Sequence, residues 1–209
     1  MHMFDIQNIF IEILGYPLSY AELIGTVFGL LCVYWASREN ILTWPAGIVN
    51  ELFLFVIFFQ VQLYANMFLQ VIFFFSSLYG WYRWKYGETE SKVTRLQPRG
   101  LLFTALIVIT GTFLAGYLIS DIHLTLPEYF KEASAYPYAD SFVMVISIVA
   151  TILLAKKKFE NWALWVINNV VCIVLYYLQG IYFIALEYLV LLFIASFGLF
   201  NWYKKQANG

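Results

Sequence analysis

Residues 162–202 read WALWVINNVVCIVLYYLQGIYFIALEYLVLLFIASFGLFNW, and residues 44–84 repeat this pattern at an offset of 118 positions without a gap. The shared positions are aromatic, amide or glycine residues: Trp44 and Trp162, Asn50 and Asn168, Tyr64 and Tyr182, Gly80 and Gly198, and Trp84 and Trp202. The match continues upstream, where Tyr20-Ala21-Glu22 aligns with Tyr138-Ala139-Asp140 and Arg38 with Lys156. Internal repeats in an apolar chain point to a binding site between the two copies.

Each copy contains three apolar stretches that approach the roughly 20 residues needed to cross a bilayer. Seven such stretches run along the chain, at residues 20–35, 44–61, 64–82, 101–120, 139–155, 162–178 and 181–203. Two copies of three spans joined directly would have opposite orientations in the membrane. The additional span at 101–120 gives the second copy the same orientation as the first. We therefore expect an all-α membrane protein of seven helices, with two parallel three-helix repeats joined by a linker helix.

The predicted organisation is one transmembrane domain over residues 1–209. Its parts are an N-terminal helix lying in the membrane interface (1–18), repeat 1 (20–84), the linker helix (99–120) and repeat 2 (138–203). The N-terminal segment lacks the basic residues of a secretory signal and carries Asp5 and Glu12. Its apolar residues, among them Phe4, Ile9 and Phe10, suit a short interfacial helix.

The composition restricts the class of protein. The 209 residues are 62% hydrophobic and only 12% charged, so the chain cannot cover itself with polar surface and must be solvated by lipid. A net charge of −1 excludes the basic surface of a nucleic-acid-binding protein. The two cysteines, Cys32 and Cys172, lie far apart in apolar stretches, which is typical of packing residues.

The distribution of basic residues predicts the orientation. With the N-terminus outside, eleven of the 12 Lys and Arg residues fall on the cytoplasmic side, and only Lys131 falls outside. The positive-inside rule therefore predicts an outer N-terminus and a cytoplasmic C-terminus.

Polar side chains at membrane depth are costly, so they are candidates for function. They are Asn50, Glu51, Asn66, Gln70, Asn168, Asn169, Glu187 and the neighbouring Tyr188. No Lys, Arg or His accompanies them, and a phosphorylated substrate would need such clamps. We therefore expect a ligand without a phosphate.

Aromatic residues form a stripe beside these amides. Trp162, Trp165, Asn169, Cys172 and Tyr176 recur at spacings of three and four, which places them on one helix face. Trp44, Gly47 and Asn50 or Glu51 form the equivalent stripe in the first copy. Aromatic walls with amides and a carboxylate suit a planar and cationic ring, which stacking and cation–π attraction would hold.

Each of these residues also has a structural interpretation. Tryptophans near helix ends commonly anchor a protein at the membrane interface. Asn50 and Asn168 could instead form interhelical hydrogen bonds. Glu51 and Glu187 could be neutral or form a proton path, and Glu187 is the better site candidate because Glu51 could face the membrane surface or another subunit.

We expect no metal, no cofactor and no enzymatic activity. His2 is terminal and His123 lies in the outer loop, which does not suit a metal site. The sequence also lacks the phosphate-binding GxxxxGK[ST] loop and the HExxH and GxSxG motifs.

Several stretches resemble the PnuC family of vitamin-precursor transporters, most closely its nicotinamide riboside branch. They are FFQVQLYANMFLQVIFFFSSLYGWYRW at 58–84, ENWALWVINNVVCIVLYYLQGIYFIALEYLVLLFIASFG at 160–198, the N-terminal FDIQNI and LIGTVFGLLCVYWAS. The resemblance combines a GWYxW ending, a WxxW opening and an LEY triplet in the family's order. Residues 85–140 match least.

The resemblance implies a facilitator of the bacterial inner membrane with a fold similar to the SWEET sugar carriers and a homotrimeric assembly. Its implied substrate is nicotinamide riboside, which enters down its gradient for NAD biosynthesis and is trapped by cytoplasmic phosphorylation. Trp162 and Trp165 correspond to the WxxW pair, and the polar positions around the ligand correspond to Asn50, Gln70, Asn168, Glu187 and Tyr188. Two alternatives remain: the same fold carrying thiamine or riboflavin, and a proton-coupled transporter. A membrane-embedded binding or signalling subunit is a third, from another class.

Overall fold

The computed structural model describes residues 5, 7–13, 16–60, 64–87, 92–128, 136–180 and 182–207. Seven long helices and one short helix make up most of this part of the chain. They are α1 (Tyr20–Ser37), α2 (Thr43–Gln60), α3 (Tyr64–Tyr86), α4 (Pro98–Ser120), α5 (Ile122–Thr125), α6 (Pro137–Ala155), α7 (Glu160–Leu178) and α8 (Tyr182–Ala207). Each long helix coincides to within a few residues with one of the seven apolar stretches of the sequence.

Six of the described helices are long and apolar enough to cross a membrane: α1, α2, α4, α6, α7 and the Ile184–Lys205 part of α8. The remaining long helix, α3, is more polar because it carries Asn66, Gln70, Ser76 and Ser77 and ends with a basic turn. It nevertheless packs between α2 and α6 and belongs to the same helix assembly.

Six helices form a closed ring. Going round it, α1 packs on α2, α2 on α3, α3 on α6, α6 on α7, α7 on α8, and α8 on α1. The two joints between the repeats are equivalent, since each brings the third helix of one repeat against the first helix of the other. Helix α4 lies outside the ring against α6 and exposes large apolar side chains such as Phe103, Phe113 and Leu118.

A helix was predicted over residues 1–18, but the described part of this segment forms a β-hairpin. Ile9–Ile13 and Tyr16–Ser19 form two antiparallel strands, β1 and β2, in which Glu12 pairs with Pro17. The alternating isoleucines of β1 favour a strand, and Pro17 cannot donate a backbone hydrogen bond within a helix. The hairpin leads directly into α1, where Ser19 and Glu22 form a capping box.

The best-packed part of the core lies at one end of the ring, where α1, α3, α6 and α8 finish and α2 and α7 begin. We call this the tryptophan end, because Trp44, Trp162 and Trp202 are buried there with Trp84 packed against them. The opposite end, which carries the strands, is called the hairpin end. The ring is therefore closed by aromatic packing at one end and bordered by polar groups at the other.

Candidate functional site

A tryptophan and a glycine meet in the same way in both repeats at the tryptophan end. A Cβ atom added to Gly80 would lie 2.3 Å from Cη2 of Trp44, and one added to Gly198 would lie 2.7 Å from Cδ2 of Trp162. Only glycine allows the third helix of each repeat to approach the indole this closely. The indoles are 2% and 1% exposed, so they are buried in the core and not anchored at the lipid interface.

The terminal tryptophan of each repeat joins it to the other repeat. Trp84 Nε1 donates to the Ala155 carbonyl at 3.2 Å, and Trp202 Nε1 donates to the Ala36 carbonyl at 3.3 Å. Asn201 Nδ2 adds a bond to the Ser37 carbonyl at 2.9 Å. All three bonds run from the end of a third helix to the end of a first helix, and we call the two indole bonds, from Trp84 and Trp202, the reciprocal latch.

Residues 92–97, which precede α4 and which we call the strap, cover the tryptophan end. The Thr94 backbone N–H donates to the Lys157 carbonyl at 3.1 Å, and the Thr94 carbonyl accepts from the Phe159 N–H at 2.9 Å. Val93 is buried against the tryptophans, and the Leu96 N–H donates to Glu160 Oε2 at 3.0 Å. In this conformation the tryptophan end is therefore shut by side chains and by a docked strap.

A layer of polar side chains, most of them buried, lies between the two ends. The partly exposed Asn50 donates through Nδ2 to the Gly25 carbonyl at 2.8 Å, which ties α2 to α1. Ser77 Oγ donates to Glu51 Oε1 at 2.7 Å, which ties α3 to α2. Asn168 and Asn169 are also buried, and Asn168 Oδ1 accepts no hydrogen bond within the described residues. This layer therefore holds acceptors that a ligand or water could satisfy.

Tyrosines and carboxylates gather toward the hairpin end. The rings of Tyr176 and Tyr188 stack with centroids 5.4 Å apart. The Tyr16 hydroxyl donates to Glu22 Oε1 at 2.6 Å. Burial, this hydrogen bond and the nearby carboxylates of Glu22 and Glu187 raise the pKa of Tyr16 to about 12. The hydroxyl of Tyr16 therefore stays a donor, and the border of the ring at this end is acidic.

The structure distributes ten of the eleven residues of the sequence hypothesis over three levels. Trp44 and Trp162 lie in the packed tryptophan end, and Trp165 is partly buried beside them. Asn168 and Asn169 are buried in the middle layer, where Asn50 is partly exposed. Gln70, which aligns with Tyr188, lies with Glu187, Tyr188 and Tyr176 toward the hairpin end. Asn66 is exposed near the start of α3, apart from this set.

Two buried hydroxyl residues were not part of the sequence hypothesis: Ser77 in the polar layer and Thr43 at the tryptophan end. Glu51, which the sequence analysis ranked behind Glu187 as a site candidate, is 7% exposed, and Glu187 is partly buried. Thr43 Oγ1 donates to the Cys32 carbonyl at 2.9 Å within the same repeat. Hydroxyl residues within an apolar stretch give a weak signal, because they often bond to their own helix.

The apolar helices and the polar layer enclosed by a ring of two repeats define a membrane transport protein that crosses the bilayer several times. A model of the family described as nicotinamide mononucleotide transporter matches residues 19–204, and the chain belongs to this family. The nicotinamide riboside transporter PnuC of Escherichia coli K12 is 38% identical, over 97% of this chain and 94% of the relative. The chain is thus a multi-pass protein of the bacterial inner membrane.

Two further proteins are similar over most of their length. The riboflavin/roseoflavin transporter RibM of Streptomyces davaonensis is 23% identical, over 90% of this chain and 86% of the relative. The crystal structure of the vitamin B3 transporter PnuC is 26% identical, with a TM-score of 0.69 over 90% of this chain and 82% of that chain. The fold is therefore all-helical and similar to that of the vitamin B3 transporter PnuC.

Proposed function

We propose that this protein is a uniporter that imports nicotinamide riboside by facilitated diffusion, and that cytoplasmic phosphorylation of the substrate drives net uptake for NAD biosynthesis. The observation that carries the proposal is the 38% identity to a nicotinamide riboside transporter over nearly the whole of both chains. Membership of a transporter family also favours transport over a signalling role.

The buried side chains favour the riboside over the mononucleotide of the family's description. Within the described residues, the buried polar side chains are Ser, Thr, Asn, Gln and Glu51, without Lys, Arg or His. A phosphate dianion would enter this layer without a charge partner, which is costly at low dielectric. A riboside offers hydroxyl and carboxamide groups that amides can bind.

We infer seven spans in a 3+1+3 arrangement of parallel repeats, with the hairpin end outside and the tryptophan end in the cytoplasm. The equivalent joints of the ring support this layout, because α3 meets α6 as α8 meets α1. The reciprocal latch supports it too, since both indoles donate at the same end of the ring. The basic residues of 83–99 and 156–158 lie at the tryptophan end, in agreement with the positive-inside rule.

The mechanism that fits this layout is alternating access, in which the two repeats rock around the polar layer. The conformation described here is shut at the tryptophan end by the reciprocal latch and the strap. Release of the substrate to the cytoplasm would therefore require Trp84 and Trp202 to leave the carbonyls of the opposite repeat. Binding energy gained in the polar layer would have to offset these lost contacts.

Two alternatives keep the fold. The 23% identity to RibM, described as a riboflavin/roseoflavin transporter, supports riboflavin as an alternative substrate. Thiamine is a second aromatic vitamin that the same walls could accommodate. A proton-coupled mechanism would instead use Glu51 or Glu187 as a proton carrier.

We also infer a homotrimer. Within the described residues, helix α4 packs mainly on α6 and exposes a broad apolar surface, which lipid or a second copy could cover. Cross-linking in native membranes would detect a trimer as a species of three times the chain mass, and a monomer alone would contradict it.

The first experiment measures binding of nicotinamide riboside, nicotinamide mononucleotide, thiamine and riboflavin to the purified protein by calorimetry and tryptophan fluorescence. We expect tight binding of the riboside and rejection of the mononucleotide. Preference for thiamine or riboflavin would make that vitamin the proposed substrate. Binding of none of the four compounds would refute the proposed function.

The second experiment measures uptake of labelled riboside into sealed vesicles. With a riboside kinase and ATP inside, label should accumulate; without them, it should only equilibrate. Accumulation that follows an imposed proton gradient without the kinase would contradict the uniporter and favour proton coupling. Absence of uptake despite binding would favour a binding subunit.

A further inference from the structure

Glu51 is a buried carboxylate with one oxygen left unused. It lies midway along α2 and is 7% exposed. Ser77 donates to Oε1 at 2.7 Å, while Oε2 is buried and accepts no hydrogen bond within the described part of the chain. A carboxylate oxygen buried without a partner is costly, so a ligand that supplied one would be favoured at this position.

The side chains around Glu51 hold the carboxylate in place. A Cβ atom at Gly47 would lie 3.3 Å from Cys32 Sγ, 3.3 Å from Ser77 Oγ and 3.5 Å from Glu51 Oε1. Helices α1, α2 and α3 therefore converge on the anchored oxygen, with glycine leaving room where they meet. None of these neighbours is a cation that could neutralise the carboxylate.

The second repeat has a different pair at the equivalent positions. At the offset of 118, Glu51 aligns with Asn169 and Gly47 aligns with Trp165. One repeat thus offers a carboxylate beside a glycine, and the other offers an indole beside a neutral amide. A flat cationic ring matches this pair, because the indole can stack on it and the carboxylate can balance its charge.

Building on the proposed function, we propose that Glu51 determines specificity by recognising the positive charge of the pyridinium ring of nicotinamide riboside. Its unused Oε2 supplies the counter-charge, and Ser77 positions the carboxylate through Oε1. Glu187 is less suited to this role, since it lies near the start of α8, is only partly buried, and is close to Tyr16 at the hairpin end.

The test uses two ligands that differ in charge. Nicotinamide riboside carries a cationic ring, and its reduced dihydro form has the same carboxamide and ribose on an uncharged ring. We expect the wild-type protein to bind the cation at least roughly tenfold more tightly, and Glu51→Gln to reduce this ratio to about threefold or less. Because Asn169 occupies the equivalent position, the amide should be tolerated in the fold.

Two further variants separate charge from position. Glu51→Asp keeps the charge on a shorter side chain, and Ser77→Ala keeps the charge but removes the anchor of Oε1. Both should retain a preference for the cation, even where affinity falls for both ligands. Thermal unfolding of each variant checks that the ratios come from folded protein.

The outcomes distinguish this inference from the proposed function. If the wild type binds neither ligand, the proposed function itself fails. If the wild type binds both ligands equally, the function stands and charge recognition is refuted, even without a folded Glu51→Gln variant. If Glu51→Gln keeps the wild-type ratio, Glu51 is not the charge sensor, and Glu187→Gln becomes the variant to compare.

Discussion

Replacing Gly80 with alanine should destabilise the tryptophan end strongly. The new Cβ atom would lie 2.3, 2.4 and 2.5 Å from three ring atoms of Trp44, about 1 Å closer than an ordinary carbon contact. The indole cannot move away easily, because it is 2% exposed and meets the ring of Trp84 at 5.2 Å. Overpacking of a rigid core costs about 1–3 kcal/mol, and the three contacts here favour the upper half of that range.

The assay is thermal unfolding of the purified protein at a fixed scan rate. A loss of about 2 kcal/mol should lower the midpoint by about 4–8 °C in a chain of this length. Gly100→Ala on α4 is the matched control, since its nearest neighbour is Leu96 Cδ2 at 3.4 Å and alanine favours a helix. Its midpoint should stay the same or rise.

A second substitution tests the cause of the effect. If the indole is responsible, combining Gly80→Ala with Trp44→Leu should cost less than the sum of the two single changes, by roughly 1 kcal/mol or more. Additive costs, or a Gly80→Ala midpoint within about 1 °C of the wild type, would refute the reasoning from close packing.

Three other substitutions test the tryptophan end, the hairpin end and the proposed role of Trp165 in ligand binding. Trp202→Phe removes the donor to the Ala36 carbonyl from a fully buried position. It should lower the free energy of unfolding by about 2–4 kcal/mol, measured by the same thermal scan. An unchanged midpoint would show that this half of the reciprocal latch contributes little to stability. Tyr16→Phe removes the bond to Glu22 and should cost about 0.5–1 kcal/mol, since the ring is partly exposed. The pKa of Tyr16 is raised to about 12 from the ordinary 10, so the hydroxyl contributes fully below pH 10 and its contribution is lost between pH 10 and 12; a difference from wild type that vanished by pH 9 would contradict this. Trp165→Ala should weaken binding of nicotinamide riboside by about 1 kcal/mol or more in calorimetry, and equal affinity in the folded variant would make Trp165 a packing residue.

The helices could be predicted from the sequence because lipid imposes a strong constraint. Every backbone polar group at membrane depth must be bonded within its own helix, so long apolar stretches become helices of the expected length. All seven predicted stretches coincide with long helices, including the polar α3. The N-terminal segment lies outside this constraint, and there the competition between strand and helix was resolved by pairing of Ile9–Ile13 with Tyr16–Ser19.

The repeat match predicted equivalent residues but not what each one contacts. Asn50 and Asn168 align, yet Asn50 is partly exposed and ties α2 to α1 through the Gly25 carbonyl, while Asn168 is 2% exposed. The different burial of Glu51 and Glu187 shows the same limit, since the depth and partners of a side chain depend on neighbouring helices.

The sequence by itself determined the membrane setting, the lengths of the helices, the equivalence of the two repeats and the family. These follow from local composition and from an offset that can be read along the chain. Only the tertiary structure decided that Trp44 and Trp162 pack on glycines, that Trp84 and Trp202 join opposite repeats, and that Glu51 Oε2 has no hydrogen-bond partner among the described residues. Periodicity indicates which residues share a helix face, but the atoms opposite that face come from distant parts of the chain, and their positions are set by packing.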